Sequence, residues 1–245
     1  MKIVIISQAR MTSTRLPGKV LKKVSGKTLL EHHVERLRRS QMSDEIVIAT
    51  TENRTDIPIV EVCEKIKVNY FRGSEEDVLS RYYKAATKFK ADIVVRVTSD
   101  CPLIDPVIVD SVISFFFDNS PFFDYVSNAG IRTFPRGMDT EVFKYQTLVE
   151  TYNEAKSNVD REHVTTFIRN PKNHYKLGNY SLHENHSSHR WTVDTLEDFN
   201  LVSKILNALY PIKSNFDLND ILTLLQNNPT WSKLNSHIET VNYGA

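Results

Sequence analysis

Cysteine is scarce. The 245 residues hold only Cys63 and Cys101, which excludes a disulfide scaffold and suits a reducing, cytoplasmic setting. Glycine is scarce too, at seven residues, and none falls in a Gly-x-Gly-x-x-Gly or Walker A pattern. No apolar stretch could span a bilayer, and the apolar opening is far too short for a secretory signal. Charge of one sign is missing as well: 31 Lys and Arg against 30 Asp and Glu leave a net charge of +1. With no overall field to recruit nucleic acid, any anion must be held by a local cluster. Pro/Gly/Ser-rich linkers, internal repeats and low-complexity stretches are absent, so a single domain over 1–245 is expected, with neither nucleic acid nor membrane as partner.

What the chain does have is enough apolar residues for a sizeable core, 40% of the total. A β-branched run at 3–8 reads as a buried parallel strand, with further strands at 45–50, 68–71 and 92–97. Helical spacing separates them at 27–39, 56–67 and 76–90, and one more helix carries Ile108, Val109, Val112, Ile113, Phe116 and Phe117. This alternation predicts an α/β fold with a parallel sheet and right-handed crossovers. Beyond residue 105 the pattern loosens. Strands are expected at 122–126, 140–143, 174–182 and 190–193, and helices at 145–156, 160–169, 196–209 and 218–226.

The densest chemistry lies just past the first strand, in Gln8-Ala9-Arg10-Met-Thr-Ser13-Thr-Arg15-Leu-Pro-Gly-Lys19. Three cations on one loop at the carboxyl end of a strand form a site for a strongly anionic ligand, because ligands of open α/β sheets bind there. Arg offers a planar fork to phosphate oxygens, and Lys a compact charge. The next carboxylate so placed is Asp100, in Thr98-Ser-Asp-Cys-Pro-Leu-Ile-Asp-Pro106 directly after the fourth strand. It suits Mg²⁺, which takes one or two carboxylates and completes its shell with phosphates and water. Asp105 before Pro106 reads as a helix cap, and Thr195 with Asp198 as a capping box. Cys101 reads as a packed small residue. His183, His186 and His189 have no helical spacing and no Cys nearby, and read as a polar loop rather than a zinc site. No Ser-His or Cys-His nucleophile signature is present.

Gln8 to Lys19 resembles the Gln-Ala-Arg-x-x-Ser-Thr-Arg-Leu-Pro-Gly-Lys signature of the spore-coat-polysaccharide-type nucleotidyltransferases. These belong with the sugar-acid cytidylyltransferases, among them the CMP-Kdo and CMP-acylneuraminate synthetases. The resemblance implies a Rossmann-like mixed, mostly parallel sheet with helices on both faces, of the nucleotide-diphospho-sugar transferase type. A small dimerising, sugar-pocket region within 120–190 would make a homodimer. It implies transfer of CMP from CTP to a nonulosonic or related keto sugar acid, with Mg²⁺ as cofactor and pyrophosphate as product, for surface polysaccharide or glycoconjugate synthesis. Arg10, Arg15, Lys19 and Asp100 would carry catalysis, and Gln8, Ala9 and Ser13 would join them in holding the nucleotide.

Asp100 matches the Gly-Asp-x-Pro-Leu metal motif, with Ser99 in place of Gly. Asp194, in Asp-Thr-Leu-Glu-Asp198, resembles the second metal ligand of the CMP-Kdo synthetases, with Leu196 where Pro is usual. Pro135-Arg136-Gly-Met-Asp139-Thr-Glu141-Val resembles the sugar-pocket segment of the spore-coat type, and period two sets Asp139 and Glu141 on one side of a strand. Arg161 and His163 belong to a second shared segment on the sugar side. Arg72, Gly73 and Ser74 correspond to the nucleobase-facing turn, and Ser74 can equally cap the next helix. Two rivals stand against this reading. A nucleotide-sugar glycosyltransferase would usually carry Asp-x-Asp, where here Pro102 follows Asp100 and Cys101. A catalytically silent nucleotide-sugar-binding partner would not need Arg10, Arg15, Lys19, Asp100 and Asp194 together.

Overall fold

The computed structural model describes residues 1–239. The first strand, β1 (Ile3–Gln8), is apolar from Ile3 to Ile6 because both of its faces are covered there. Ile3 and Ile5 enter one core cluster, Val4 and Ile6 another. After a loop and a 3₁₀ turn at Lys19–Leu21, β2 (Lys23–Val24) and β3 (Lys27–Thr28) form a hairpin. Ser25 and Gly26 close it with φ of 48° and 80°, as a primed two-residue turn requires. Thr28 then caps α1 (Leu29–Leu37), reciprocated by Glu31. This capping box starts the helix two residues later than the expected Lys27.

β4 (Glu45–Thr51), α2 (Ile57–Lys65), β5 (Asn69–Gly73), α3 (Val78–Lys88), β6 (Ile93–Thr98) and α4 (Pro106–Asp118) follow in the expected order. Asp105 caps α4, accepting from the Val107 amide at 2.9 Å. The second half adds β7 (Tyr125–Ser127), β8 (Glu141–Lys144), α5 (Tyr145–Glu154), α6 (Asn158–His163), α7 (Thr166–Arg169), β9 (Leu177–Asn179), α8 (Leu196–Leu209) and α9 (Leu218–Asn227). Three expectations change here. The helix anticipated at 160–169 is two short ones, broken at Val164 with φ of 57°. The strand anticipated at 174–182 shrinks to β9. The segment 190–193 is not a strand, because its amides go to loops: Trp191 N–H donates to the Arg136 carbonyl at 2.7 Å and Val193 N–H to the Asp100 carbonyl at 2.8 Å.

The large sheet has seven strands in the order β5-β4-β1-β6-β8-β7-β9. Pairing is parallel except for the two contacts of β8, which alone runs against the rest. Residues of α1, α4, α8 and α9 cover one face, and α3 and α5 the other. This is the Rossmann-like, mostly parallel sheet with helices on both faces. β1 lies between β4 and β6, so the chain leaves it in opposite directions. The loops at the carboxyl ends of β1 and β6 therefore part to form a crevice. Among the described residues no helix is long and apolar enough to cross a membrane.

Candidate active site

The loop after β1 is held from two sides. Gly18 N–H donates to the Met11 carbonyl at 2.9 Å, and Met11 N–H to Asp56 Oδ1 at 2.8 Å. Asp56 is fully buried and its other oxygen accepts from the Thr50 and Thr51 hydroxyls. Gly18 has φ of 67°, and a Cβ there would come within 3.2 Å of the Met11 side chain, so the turn that delivers Lys19 into the crevice favours glycine.

Lys19 is the centre of the site. Its Nζ donates to Asp100 Oδ2 at 2.7 Å and to Asp194 Oδ1 at 2.8 Å. The loops after β1 and β6 and the turn before α8 thus meet at one ammonium. Burial alone would lower the Lys19 pKa, but the two carboxylates outweigh it and raise it. Burial likewise works against the Asp100 charge, yet the ammonium beside it holds its carboxyl well below the usual carboxylate range. Asp194 has two more cations: Arg15 at 3.1 Å and Arg190 at 2.6 Å. Arg190 also pairs with Asp198 at 2.9 Å, and Asp198 closes the capping box of α8 with Thr195. Arg10 lies at the rim, 3.8 Å from Glu75. Cys101 is buried, and burial together with the Asp100 charge pushes its thiol far up, so it is no nucleophile at neutral pH.

A cavity of about 580 Å³ opens here. Gln8, Ala9, Arg10, Ser13, Arg15, Lys19, Asp100, His163 and Asp194 all line it. The structure therefore gathers the loop cations, both metal-motif carboxylates and His163. It also brings in Arg81 and Glu162, which motif reading missed. Arg81 is fully buried on α3 and donates to the Ser74 carbonyl at 2.9 Å. An arginine beside Leu79 and Tyr82 on the inward face was the available signal.

Other expected residues stand elsewhere. The Arg72 guanidinium donates to the carbonyls of Thr51, Glu52 and Asn53 at 3.0, 2.8 and 3.1 Å, bracing the neighbouring loop. Gly73 ends β5, and Ser74 Oγ accepts from the Asp77 amide at 3.1 Å, one step before Asp77 itself caps α3. None of the three lines the cavity; Ser74 is linked to it through the bond its carbonyl accepts from Arg81. Asp139 precedes β8 and is gripped by Arg132 at 2.5 and 2.8 Å. Glu141 is buried in an ion pair with Arg96, directly across from it on β6, and accepts from the Tyr125 and Thr165 hydroxyls. Arg161 pairs with Asp77 and stacks on Tyr152. Arg136 lines a separate cavity with Arg190 and Trp191. Of the five sugar-side residues, only His163 reaches the main cavity.

The donor set fits a hard divalent cation. Two carboxylates converge on one point, the Lys19 ammonium, which suits an ion that takes one or two carboxylates and completes its shell with phosphate and water. Asp100 is the freer carboxylate: Oδ1 is contacted by the Cys101 thiol at 3.6 Å, while both Asp194 oxygens meet cations.

Known proteins share this sequence and fold. A family model described as cytidylyltransferase matches residues 3–235. The spore coat polysaccharide biosynthesis protein SpsF of Bacillus subtilis is 35% identical over 234 residues, covering 93% of this chain and 95% of SpsF. The 3-deoxy-manno-octulosonate cytidylyltransferase of Geobacter sulfurreducens is 30% identical over 152 residues, 62% of this chain and 60% of that one. A solved cytidylyltransferase from Leptospira borgpetersenii superposes with a TM-score of 0.91 at 33% identity, covering 99% of both chains. With a family match spanning nearly its whole length, the chain belongs to the cytidylyltransferase family.

Proposed function

We propose that the protein transfers CMP from CTP to a sugar acid, with Mg²⁺ as cofactor, releasing pyrophosphate. The observation that carries this reading is the convergence of Arg15 and Lys19 on Asp100 and Asp194 in one cavity at the carboxyl ends of β1 and β6. The acceptor hydroxyl oxygen forms a bond to the α-phosphorus, its proton passing to solvent, while the bond to the bridging oxygen breaks. Negative charge builds on the pyrophosphate that leaves. Arg10, Arg15 and Lys19 are placed to neutralise it, with Arg15 offering a fork and Lys19 a point charge. Asp100, seconded by Asp194, would hold Mg²⁺, which when bound neutralises phosphate charge and orients the α-phosphate. Gln8, Ala9 and Ser13 line the nucleotide side, and Arg81 extends it. His163 and Glu162 form the wall where the sugar would enter.

Homology to an octulosonate cytidylyltransferase supports a sugar acid as the acceptor, and homology to SpsF supports a place in surface polysaccharide synthesis. The same reading takes the enzyme as a cytoplasmic homodimer. Supporting the dimer are the edge strand β9 with Leu177 exposed and, hydrogen-bonded to it through Asn179 at 2.8 Å, the exposed Ile131. The test is pyrophosphate release with each of the four NTPs, with and without Mg²⁺, against a panel of neutral sugars and sugar acids. CTP with one sugar acid and Mg²⁺ should give turnover. Turnover with a neutral sugar alone, or without regard to the base, overturns the proposal.

A further inference from the structure

Beneath the Asp100 turn lies a buried polar chain that the chemistry above does not use. His33, on α1, is fully buried, as are Ser7 on β1 and Ser99 at the end of β6. His33 Nδ1 lies 2.9 Å from the Cys101 carbonyl, His33 Nε2 lies 2.9 Å from Ser7 Oγ, and Ser7 Oγ lies 2.7 Å from Ser99 Oγ.

The directions of these bonds follow from what each atom can do. A carbonyl only accepts, so Nδ1 carries the ring proton. Burial pushes the His33 pKa down to about 4, so at neutral pH Nε2 is bare and accepts. Ser7 gives it its only proton, and Ser7 Oγ in turn accepts from the Ser99 hydroxyl. Each proton has an acceptor when the chain runs from Ser99 through Ser7 and His33 to the Cys101 carbonyl. With a charged ring the order reverses, and the hydroxyl proton of Ser99 is left over in a dry core, an arrangement that costs free energy.

The far end of the chain matters because of what it fixes. Cys101 follows Asp100 directly. Its carbonyl is held by both His33 and the Ile104 amide, while the Asp100 carbonyl is held by the Val193 amide at 2.8 Å, next to Asp194. The backbone on both sides of the Asp100 side chain is therefore pinned, once to α1 and once to the segment carrying the partner carboxylate.

We propose that His33 is a positioning residue that, through its Nδ1–H bond to the Cys101 carbonyl, orients the Asp100 carboxylate for the divalent cation. This rests on the metal reading above and extends it to a side chain that touches neither metal nor substrate. It also accounts for Ser99 at a position where related motifs carry glycine: the hydroxyl supplies the first proton of the chain.

Two amide substitutions separate the roles of the two ring nitrogens. The amide of His33→Asn reaches where Nδ1 stands, keeping a donor for Cys101 and losing the Ser7 link. His33→Gln extends to where Nε2 stands, keeping the Ser7 link and losing the Cys101 bond. The readout is Mn²⁺ affinity, measured by electron paramagnetic resonance with a non-hydrolysable CTP analogue bound, alongside thermal stability. His33→Gln should weaken Mn²⁺ about tenfold, and His33→Asn by no more than about threefold, although both lower stability. Equal Mn²⁺ affinities for the two variants overturn the inference. Wild-type protein that takes up no Mn²⁺ with the nucleotide overturns the metal reading itself, and this inference with it. A second measurement needs no variant: nitrogen NMR of ¹⁵N-histidine-labelled protein should show the His33 proton on Nδ1, and a proton on Nε2 alone would refute the chain even if neither variant folds.

Discussion

Replacing Lys19 by Met removes one positive charge and keeps most of the aliphatic stem, so its effect isolates the ammonium. That ammonium is 2.7 Å from Asp100 and 2.8 Å from Asp194, on a side chain only 10% exposed. Asp194 would keep Arg15 and Arg190. Among the described residues Asp100 would keep the Thr98 hydroxyl and the Cys101 thiol but no cation, and so becomes the uncompensated charge. Deleting one partner of a buried ion pair costs about 3–5 kcal/mol. Asp100 is not fully shut from solvent, which sets the expectation at the lower end, about 3 kcal/mol, or a melting point lower by roughly 6–12 °C for a chain of this size. The pH dependence carries the sharper signature. The Asp100 pKa in the fold lies below the ordinary 3.8, so the pair's contribution is present above that value and fades as pH falls through the folded one. The Lys19 pKa lies above 10.5, so the contribution holds below that value and fades as pH rises past it. The gap in unfolding free energy between wild type and variant should be widest between these limits and narrow toward either. Added Mg²⁺ should stabilise the variant more than the wild type, since it would occupy a corner the ammonium no longer fills. Urea denaturation across this pH range is the assay. A gap below about 1 kcal/mol at pH 7, the size of an exposed pair, or one that does not narrow in acid, refutes the reasoning.

Other expectations follow from the same geometry. Arg15 is half exposed, so Arg15→Ala should barely move stability but weaken CTP binding by roughly ten- to a hundredfold, with Arg15→Lys recovering part and CMP much less affected. Calorimetric titration of both ligands checks this, and equal losses would take Arg15 off the triphosphate. Glu141→Gln should destabilise by about 3–5 kcal/mol, because it leaves Arg96 buried against an amide, while the folded enzyme keeps its KM for the sugar. Normal stability with a raised KM would return Glu141 to the sugar pocket. The neutral, buried His33 has a pKa lowered from 6.5 to about 4. Between those values the unfolded chain binds a proton the native ring refuses, so stability falls as pH drops through that window. Urea midpoints at pH 7.5, 6 and 5 should fall more steeply for wild type than for His33→Asn, and identical slopes would contradict it.

The part of the fold that was legible before the structure is the part whose signals are local. β1, β4 and β6 read as buried strands because each is dominated by a run of apolar, β-branched residues, as strands covered on both faces are. Helix α4 was marked by Asp105-Pro106, and α8 by Thr195 and Asp198, since a cap uses residues three apart. The loop after β1 was legible as a candidate anion site because its cations lie within twelve consecutive residues. What stayed hidden depends on pairing between distant segments. The expected strands at 122–126, 140–143 and 174–182 fall on β7, β8 and β9, but these are only three or four residues long, too short for the sequence to fix their bounds or their neighbours in the sheet. Asp139 and Glu141 share a parity, but only the pairing of β8 with β6 shows that Glu141 faces Arg96 and not a ligand. Asp56 and Arg190 belong to no motif in the sequence that marks their roles, yet one anchors the loop after β1 and the other braces Asp194 against Asp198.

The two carboxylates at the centre of the site are not equivalent, and the difference follows from where each is attached. Asp194 opens the turn before α8 and lies within reach of Arg190, four residues earlier, so a permanent cation accompanies it. Asp100 lies two residues past β6, where among the described residues it meets Lys19, the Thr98 hydroxyl and a thiol. On the proposed reading Lys19 is the exchangeable partner. A triphosphate offers its ammonium more negative charge than the two carboxylates do, and a divalent cation offers Asp100 more positive charge than one ammonium. Each exchange favours the other: drawing Lys19 toward phosphate uncovers Asp100 for the metal, and a metal on Asp100 releases Lys19 for phosphate. Nucleotide and metal would then bind more tightly together than either does alone, without any movement of the sheet, because the ion pairs that hold the corner closed are the same groups that bind both ligands.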